Sequence, residues 1–121
     1  QGVIARDGKG KKITVITAPS KFEALRKKMI ETGVCGLTVS SAEGFGVQKS
    51  KLDKMKDQDI AVEFLPRTKV EMVVKDNEAE KVIKEILECT RTGRIGDGKI
   101  FVSEIIDAVR IRTGERKEDA L

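Results

Sequence analysis

Hydrophobic and polar positions along this chain change their period several times. Lys12–Ala18 (KITVITA) alternates and is rich in β-branched residues, which predicts a strand. Pro19 stops it. Ser20-Lys21-Phe22-Glu23 has the S-x-x-E order of a capping box, whose hydroxyl and carboxylate satisfy free backbone donors. Phe22, Leu25, Met29 and Ile30 then recur at helical spacing, and Gly33 ends the helix. Gly36–Ala42 (GLTVSSA) reads as the next strand, running on towards Gly44-Phe45-Gly46. Ile60–Lys75 reads as a long extended segment, in which Pro66 permits an edge position or a bulge. Asn77-x-x-Glu80 opens a second helix with Val82, Ile83, Ile86 and Leu87 as its stripe. Thr92–Gly98 is a glycine-rich turn, Lys99–Ser103 a fourth strand, and Val109–Ile111 a short extended piece before a charged tail.

The order β-α-β, loop, β-α-β implies an α+β ferredoxin-like sandwich, a βαββαβ plan with both helices on one face of an antiparallel sheet. Val15, Val39 and Val73 are too apolar for both faces to meet water, so the open face predicts an oligomer. Residues 47–59 are polar, with four Lys against three Asp. They read as a long loop or as a short amphipathic helix carrying Val47, Leu52 and Met55. Residues 1–11 read as a flexible leader or linker, and 12–121 as one domain.

Composition narrows the chemistry. The 121 residues hold no His, no Tyr and no Trp, and only four Phe, at 22, 45, 64 and 101. That removes His-based nucleophilic triads, a His general base and His metal ligands. It also argues against an aromatic platform for single-stranded nucleic acid. The net charge is +4, but residues 1–12 hold Arg6, Lys9, Lys11 and Lys12 against Asp7. The rest is nearly neutral, so the basic balance says little about nucleic acid. Cys35 and Cys89 form no CxxC pair, so zinc is unsupported, and their apolar surroundings predict buried free thiols in a reducing interior. No apolar run is long enough to span a bilayer.

Gly93–Lys99 matches the first seven positions of G-x-x-x-x-G-K-[ST], but Ile100 stands where the hydroxyl belongs. The turn also follows a helix and opens a strand, the reverse of a P-loop. It is either a plain tight turn or a cradle whose backbone N–H groups, with Lys99, face one anion. Arg110 and Arg112, two apart in an extended segment, project to one side; they are a solvated basic edge or a pair of forks for polyphosphate. Gly44-Phe45-Gly46-Val47-Gln48 is a β-bulge or a close approach to a ligand, where the Gln48 carbonyl is a ligand type for a hard cation.

Together these stretches resemble the PII family of nitrogen-regulatory signal proteins. Gly44–Gln48, Glu63–Arg67, Thr90–Val102 and Arg110–Arg116 carry the likeness, which spans about residues 11–121. The resemblance implies a homotrimer with sheets facing inward and ATP or ADP between subunits. It implies a T-loop at about 46–63, a B-loop at about 91–99 and a C-terminal loop at about 110–121. Phosphates would meet Gly96, Asp97, Gly98 and Lys99, with Arg110 and Arg112 closing the cage. Ile16, Thr38, Glu71, Met72 and Val73 would lie on the adenine side, and Gly44, Phe45, Gly46, Val47 and Gln48 at the loop mouth. Gln48 would bind Mg2+ and 2-oxoglutarate, with Lys49 and Arg67 serving the oxo-acid. Val47 stands where many members carry an Arg that reaches the nucleotide, and Arg67 replaces the usual Lys. Ile60 occupies the place of the uridylylated Tyr, Gln58 that of the phosphorylated Ser, and Ser50 is the only hydroxyl in the loop. No modification in either style is therefore expected.

The implied function is a nitrogen and energy-status regulator in the cytoplasm, recruited to the membrane by its partner where that partner is an ammonium transporter. A nitrogen-metabolism enzyme is the other partner class. The alternatives are a regulatory domain excised from a larger ammonium-channel fusion, an ATP-hydrolysing enzyme, for which no base is placed, and a nucleic-acid binder.

Overall fold

A computed structural model describes residues 10–45 and 64–121. The elements are β1 (Gly10–Thr17), α1 (Phe22–Thr32), β2 (Thr38–Phe45), β3 (Phe64–Lys75), α2 (Asp76–Thr90) and β4 (Lys99–Ile105). They form one antiparallel sheet in the order β2-β3-β1-β4. This is the expected ferredoxin-like plan. The expected leader (1–11) and loop (46–63) lie outside the described residues, except that Gly10 and Lys11 belong to β1.

Register divides the sheet's two faces, because residues directly opposite in antiparallel strands point the same way. Ile13 faces Met72 and Val102, and Val15 faces Val70 and Ile100. Ile13, Val15, Val70, Met72 and Val74 meet Leu25 and Met29 of α1 and Ala79, Val82 and Ile86 of α2 in the core. The stripe on α2 is thus core at Val82 and Ile86 and packs beside it at Ile83.

The open face carries Thr14, Ile16, Lys69, Glu71, Val73, Lys99, Phe101 and Ser103. Val73 and Phe101 are exposed there. Two of the three valines expected on that face are elsewhere. Val15 is buried beneath the helices, and Val39, opposite Val70, stands on the helix side at the sheet's edge.

Helix starts differ from the sequence pattern. Pro19–Lys21 folds as a 3-10 turn, and α1 begins at Phe22 with no side-chain cap. Ser20 lies inside that turn, so it is not placed to cap, and Glu23 pairs with Arg26 at 2.9 Å instead. Nor does a side chain cap α2; Asp76 and Glu78 in its first turn complement the helix dipole. Gly33 does end α1, with φ 97°, a conformation that favours glycine.

Pro66 lies in a central strand, not an edge strand. It pairs with Glu43 of β2, but the β1 ladder ends at Thr17–Thr68, so that stretch of β3 has β2 alone beside it. The missing N–H is tolerated there. Among the described residues no helix is long and apolar enough to cross a membrane.

Candidate functional site

The glycine turn joins α2 to β4, as its sequence context predicts. Gly93, Gly96 and Gly98 all have positive φ, at 84°, 104° and 100°. Such angles are open to glycine at little cost, which is why this chain reverses here within a few residues. Asp97 holds the reversal from inside. Its carboxylate accepts hydrogen bonds from the backbone N–H groups of Thr92 (2.8 Å) and Gly93 (2.9 Å) and from the Thr92 hydroxyl. The Asp97 carbonyl accepts from the buried Thr17 hydroxyl of β1 at 3.3 Å. Asp97 therefore shapes the turn that the resemblance expects to meet phosphates.

The Thr92 hydroxyl and the Thr92 and Gly93 amides hold the Asp97 carboxyl below the ordinary aspartate value of 3.8. A depressed value means the charged form stabilises the fold. That contribution is present above pH 3.8 and is lost as pH falls through the lower folded value. In an amide NMR titration, the Thr92 and Gly93 resonances are expected to move with a midpoint below 3.8. Asp97→Asn is expected to shift both resonances at neutral pH and abolish the step. A midpoint at or above 3.8 contradicts the assignment.

Beyond the turn, Gly98 is pressed against β1. A Cβ at 98 would lie 1.8 Å from the Ile16 carbonyl oxygen. That contact places Lys99 at the start of β4, opposite Ile16, and Ile16 in turn faces Lys69 of β3. Lys69 and Lys99 therefore flank Ile16 on one rung of the open face, about 10 Å apart at the backbone. An anion lying over Ile16 would have an ammonium on each side. Lys69 is absent from the residues singled out in the sequence, although the alternation Arg67-Thr68-Lys69-Val70-Glu71 puts it between two of them.

Glu71 faces Thr38 and Thr14 on the same side, and Lys12 pairs with it at 2.8 Å. Lys12 first, then Lys69, hold the Glu71 carboxyl below the usual carboxylate range, with a hydrogen bond from Thr14 adding to this. Ile16, Thr38, Glu71, Val73 and Lys99 are thus brought to one face. Met72 is not; it is 3% exposed in the core, on the helix side. Phe45 also belongs to the helix side by register and meets Phe64 at 5.1 Å between ring centroids. Gly44, one residue earlier, is on the open face opposite Leu65.

Arg67 shares that face opposite Ala42. Its side chain passes Gly44, where a Cβ would stand 3.3 Å from the Arg67 Cγ, and reaches Gly96, where a Cβ would stand 3.9 Å from Nη2. Gly46, Val47, Gln48, Lys49 and Ile60 lie outside the described residues.

Arg110 and Arg112 are not on one strand. Val109 bridges Arg116, and residues 111–113 form the turn of a small hairpin. Arg110 sits on its stem, paired with Glu115 at 3.1 Å, while Arg112 is exposed at its tip. Asp107 and Arg116 close the base with a second ion pair. The thiols also depart from expectation: both are free, but Cys35 is exposed and Cys89 half-buried.

Fold and site together define a ferredoxin-like subunit with a glycine turn and a cationic rung at one end of its sheet. A family model described as nitrogen regulatory protein P-II matches residues 10–115. The chain belongs to that family. Nitrogen regulatory protein P-II of Rhizobium meliloti is 46% identical over 111 residues, covering 92% of this chain and 99% of that protein. That of Microchaete diplosiphon is 42% identical over the same shares. Among solved structures, the Bacillus subtilis GlnK–ATP complex superposes with a TM-score of 0.80 at 36% identity, covering 95% of this chain and 98% of that one. Arabidopsis thaliana PII bound to citrate gives 0.76 at 39%, covering 93% and 92%.

Proposed function

We propose that the protein is a nitrogen- and energy-status regulator that binds ATP or ADP at the turn and open face. The observation that carries this is the rung Lys69–Ile16–Lys99 set beside a glycine turn. An apolar residue between two ammonium groups offers a base or ribose a surface and phosphates a counter-charge. The likeness to a GlnK–ATP complex supports the same ligand class.

In this reading Gly96, Asp97, Gly98 and Lys99 meet phosphates, with Arg110 and Arg112 supplied across a subunit boundary of a homotrimer. Exposed Ile95, Ile106, Val109 and Ile111 near the turn and the C-terminal hairpin favour such a boundary. Arg110 must share its guanidinium between Glu115 and the phosphates. 2-Oxoglutarate binds next to the nucleotide through Gln48, Lys49 and Arg67; the citrate-bound relative supports a small polycarboxylate as a ligand class. Among the described residues no cluster of carboxylates or thiols could hold a metal ion. Magnesium in this reading takes its oxygen ligands from Gln48, the phosphates and the oxo-acid. Ligand binding shifts residues 46–63 between states that differ in affinity for an ammonium transporter or a nitrogen-metabolism enzyme in the cytoplasm. The shift can be no larger than the ligand's differential affinity for those states, typically about 1–3 kcal/mol.

Calorimetry tests this directly. ATP and ADP are expected to bind, and Lys99→Ala to weaken both roughly tenfold or more, as removal of a charge-assisted contact does. 2-Oxoglutarate is expected to bind with Mg-ATP present and little with ADP. No nucleotide binding, or equal oxo-acid binding in both cases, overturns the respective part.

A further inference from the structure

We propose that Thr17 is a positioning residue for the glycine turn: its hydroxyl sets the direction of the Asp97–Gly98 peptide, so that the Gly98 N–H faces the phosphates of a bound nucleotide. This rests on the nucleotide reading above. Thr17 is the last residue of β1 and is 1% exposed. A hydroxyl buried this far needs a partner. This one donates to the Asp97 carbonyl at 3.3 Å. A trans peptide is planar, and its carbonyl and N–H point opposite ways. Among the described residues no peptide bond is cis. Holding the Asp97 carbonyl on Thr17 therefore turns the Gly98 N–H away from it. By strand alternation Thr17 lies with Ile13 and Val15 on the helix side of the sheet. The Gly98 N–H is thus turned toward the side that carries Ile16 and Lys99.

The other amides of the turn show why this one matters. The Thr92 and Gly93 N–H groups are taken by the Asp97 carboxylate at 2.8 and 2.9 Å, and that of Arg94 by the Thr92 hydroxyl at 3.2 Å. The Asp97 N–H reaches the Arg94 carbonyl only at 3.4 Å. Among the described residues no hydrogen bond takes up the N–H groups of Ile95, Gly96 or Gly98. Of these three, Gly98 is the one seated on a strand. A Cβ there would collide with the Ile16 carbonyl, whereas at Gly96 the nearest atom is an Arg67 nitrogen 3.9 Å away. A donor held in direction before the ligand arrives needs no ordering on binding. Thr17 acts through that donor and does not touch the ligand itself.

Glycine-selective 15N spectra and calorimetry test this on the wild-type protein, Thr17→Val and Thr17→Ser, with thermal unfolding to check that each variant is folded. When ADP saturates the wild type, the Gly98 amide resonance is expected to move more than that of Gly93, whose N–H is already held. Thr17→Val keeps the shape of the side chain and removes the donor. It is expected to shift the Gly98 resonance without any ligand and to lose roughly threefold to tenfold in ADP and ATP affinity, the range for one hydrogen bond. Thr17→Ser keeps the hydroxyl and is expected to recover most of that loss. Wild-type affinity in Thr17→Val overturns the proposal. So does an equal loss in both variants, or a loss in Thr17→Val with the Gly98 resonance unmoved, since packing would then explain it. A Gly98 resonance indifferent to bound ADP in the wild type overturns it whether or not Thr17→Val folds. Each of these results leaves the nucleotide reading standing. No binding by the wild type overturns that reading, and this inference with it.

Discussion

Gly98→Ala is expected to lower the melting temperature by roughly 10–15 °C and to weaken nucleotide binding. The added methyl would meet the Ile16 carbonyl oxygen at 1.8 Å, the Ile16 carbonyl carbon at 2.9 Å and the Thr17 Cα at 3.1 Å. All three atoms are backbone of a central strand, so no side chain can swing aside. The φ of 100° adds backbone strain for any residue with a Cβ. Overpacking and strain each cost about 1–3 kcal/mol, so about 3 kcal/mol or more is expected in sum. If the turn lifts off β1 to relieve the clash, Lys99 leaves its place opposite Ile16, and the loss shows in binding rather than in melting. Gly93→Ala is the control. Nothing lies within 4 Å of a Cβ there, so strain at φ 84° acts alone and the effect is smaller. A Gly98→Ala protein with unchanged melting and unchanged affinity would refute the packing argument.

Ile86→Ala is expected to cost about 2–5 kcal/mol, the range for deleting a buried aliphatic side chain without collapse of the cavity. Ile86 is 0% exposed, where α2 meets the sheet. Its carbonyl also accepts the Thr90 hydroxyl at 2.7 Å, which ties the last turn of α2 just before the glycine turn begins. The melting temperature is expected to fall by roughly 10–20 °C. Ile86→Val, which removes one methyl, is expected to cost only about 0.5–1.5 kcal/mol. Denaturant unfolding of the pair measures both. Equal destabilisation by the two substitutions would show that cavity size is not what sets the cost.

Much of the fold is legible in the sequence because it rests on local periodicity. The alternation of Lys12–Ala18, the spacing of Leu25 and Met29, and the glycine stop at 33 each report a short-range preference. The capping box failed for a physical reason: Pro19 draws Ser20 into a 3-10 turn, and the helix then starts too late for that hydroxyl to reach its free donors. Which sheet face a valine takes is set by register with a distant strand. Val15 and Val39 could not be placed without knowing that both end opposite Val70.

The site divides in the same way. The glycine turn is contiguous and visible as a motif. The clamp of Asp97 on Thr92 had a signal in its short spacing. Lys69 had one too, in its alternation with Arg67 and Glu71. The approach of Arg67 to Gly44 and Gly96 had none, because three separate segments meet there. Arg110 and Arg112 fit an extended pattern, but Gly114 at φ 75° helps turn that segment into a hairpin.

The sheet order also governs when the glycine turn can first take shape. β1 is made early, yet one of its two neighbours is β4, the last strand along the chain. During synthesis the β1 edge that β4 will cover stays unpaired until residues 99–105 have emerged. The glycine turn takes shape in the same event, since Gly98 finds its seat only against β1. Under the proposed function a nascent chain therefore has no competent site, and a ligand at the turn would select finished molecules. Bound there, it would hold the final strand in place by mass action, so the last part of the sheet to form is the part that occupancy would protect most.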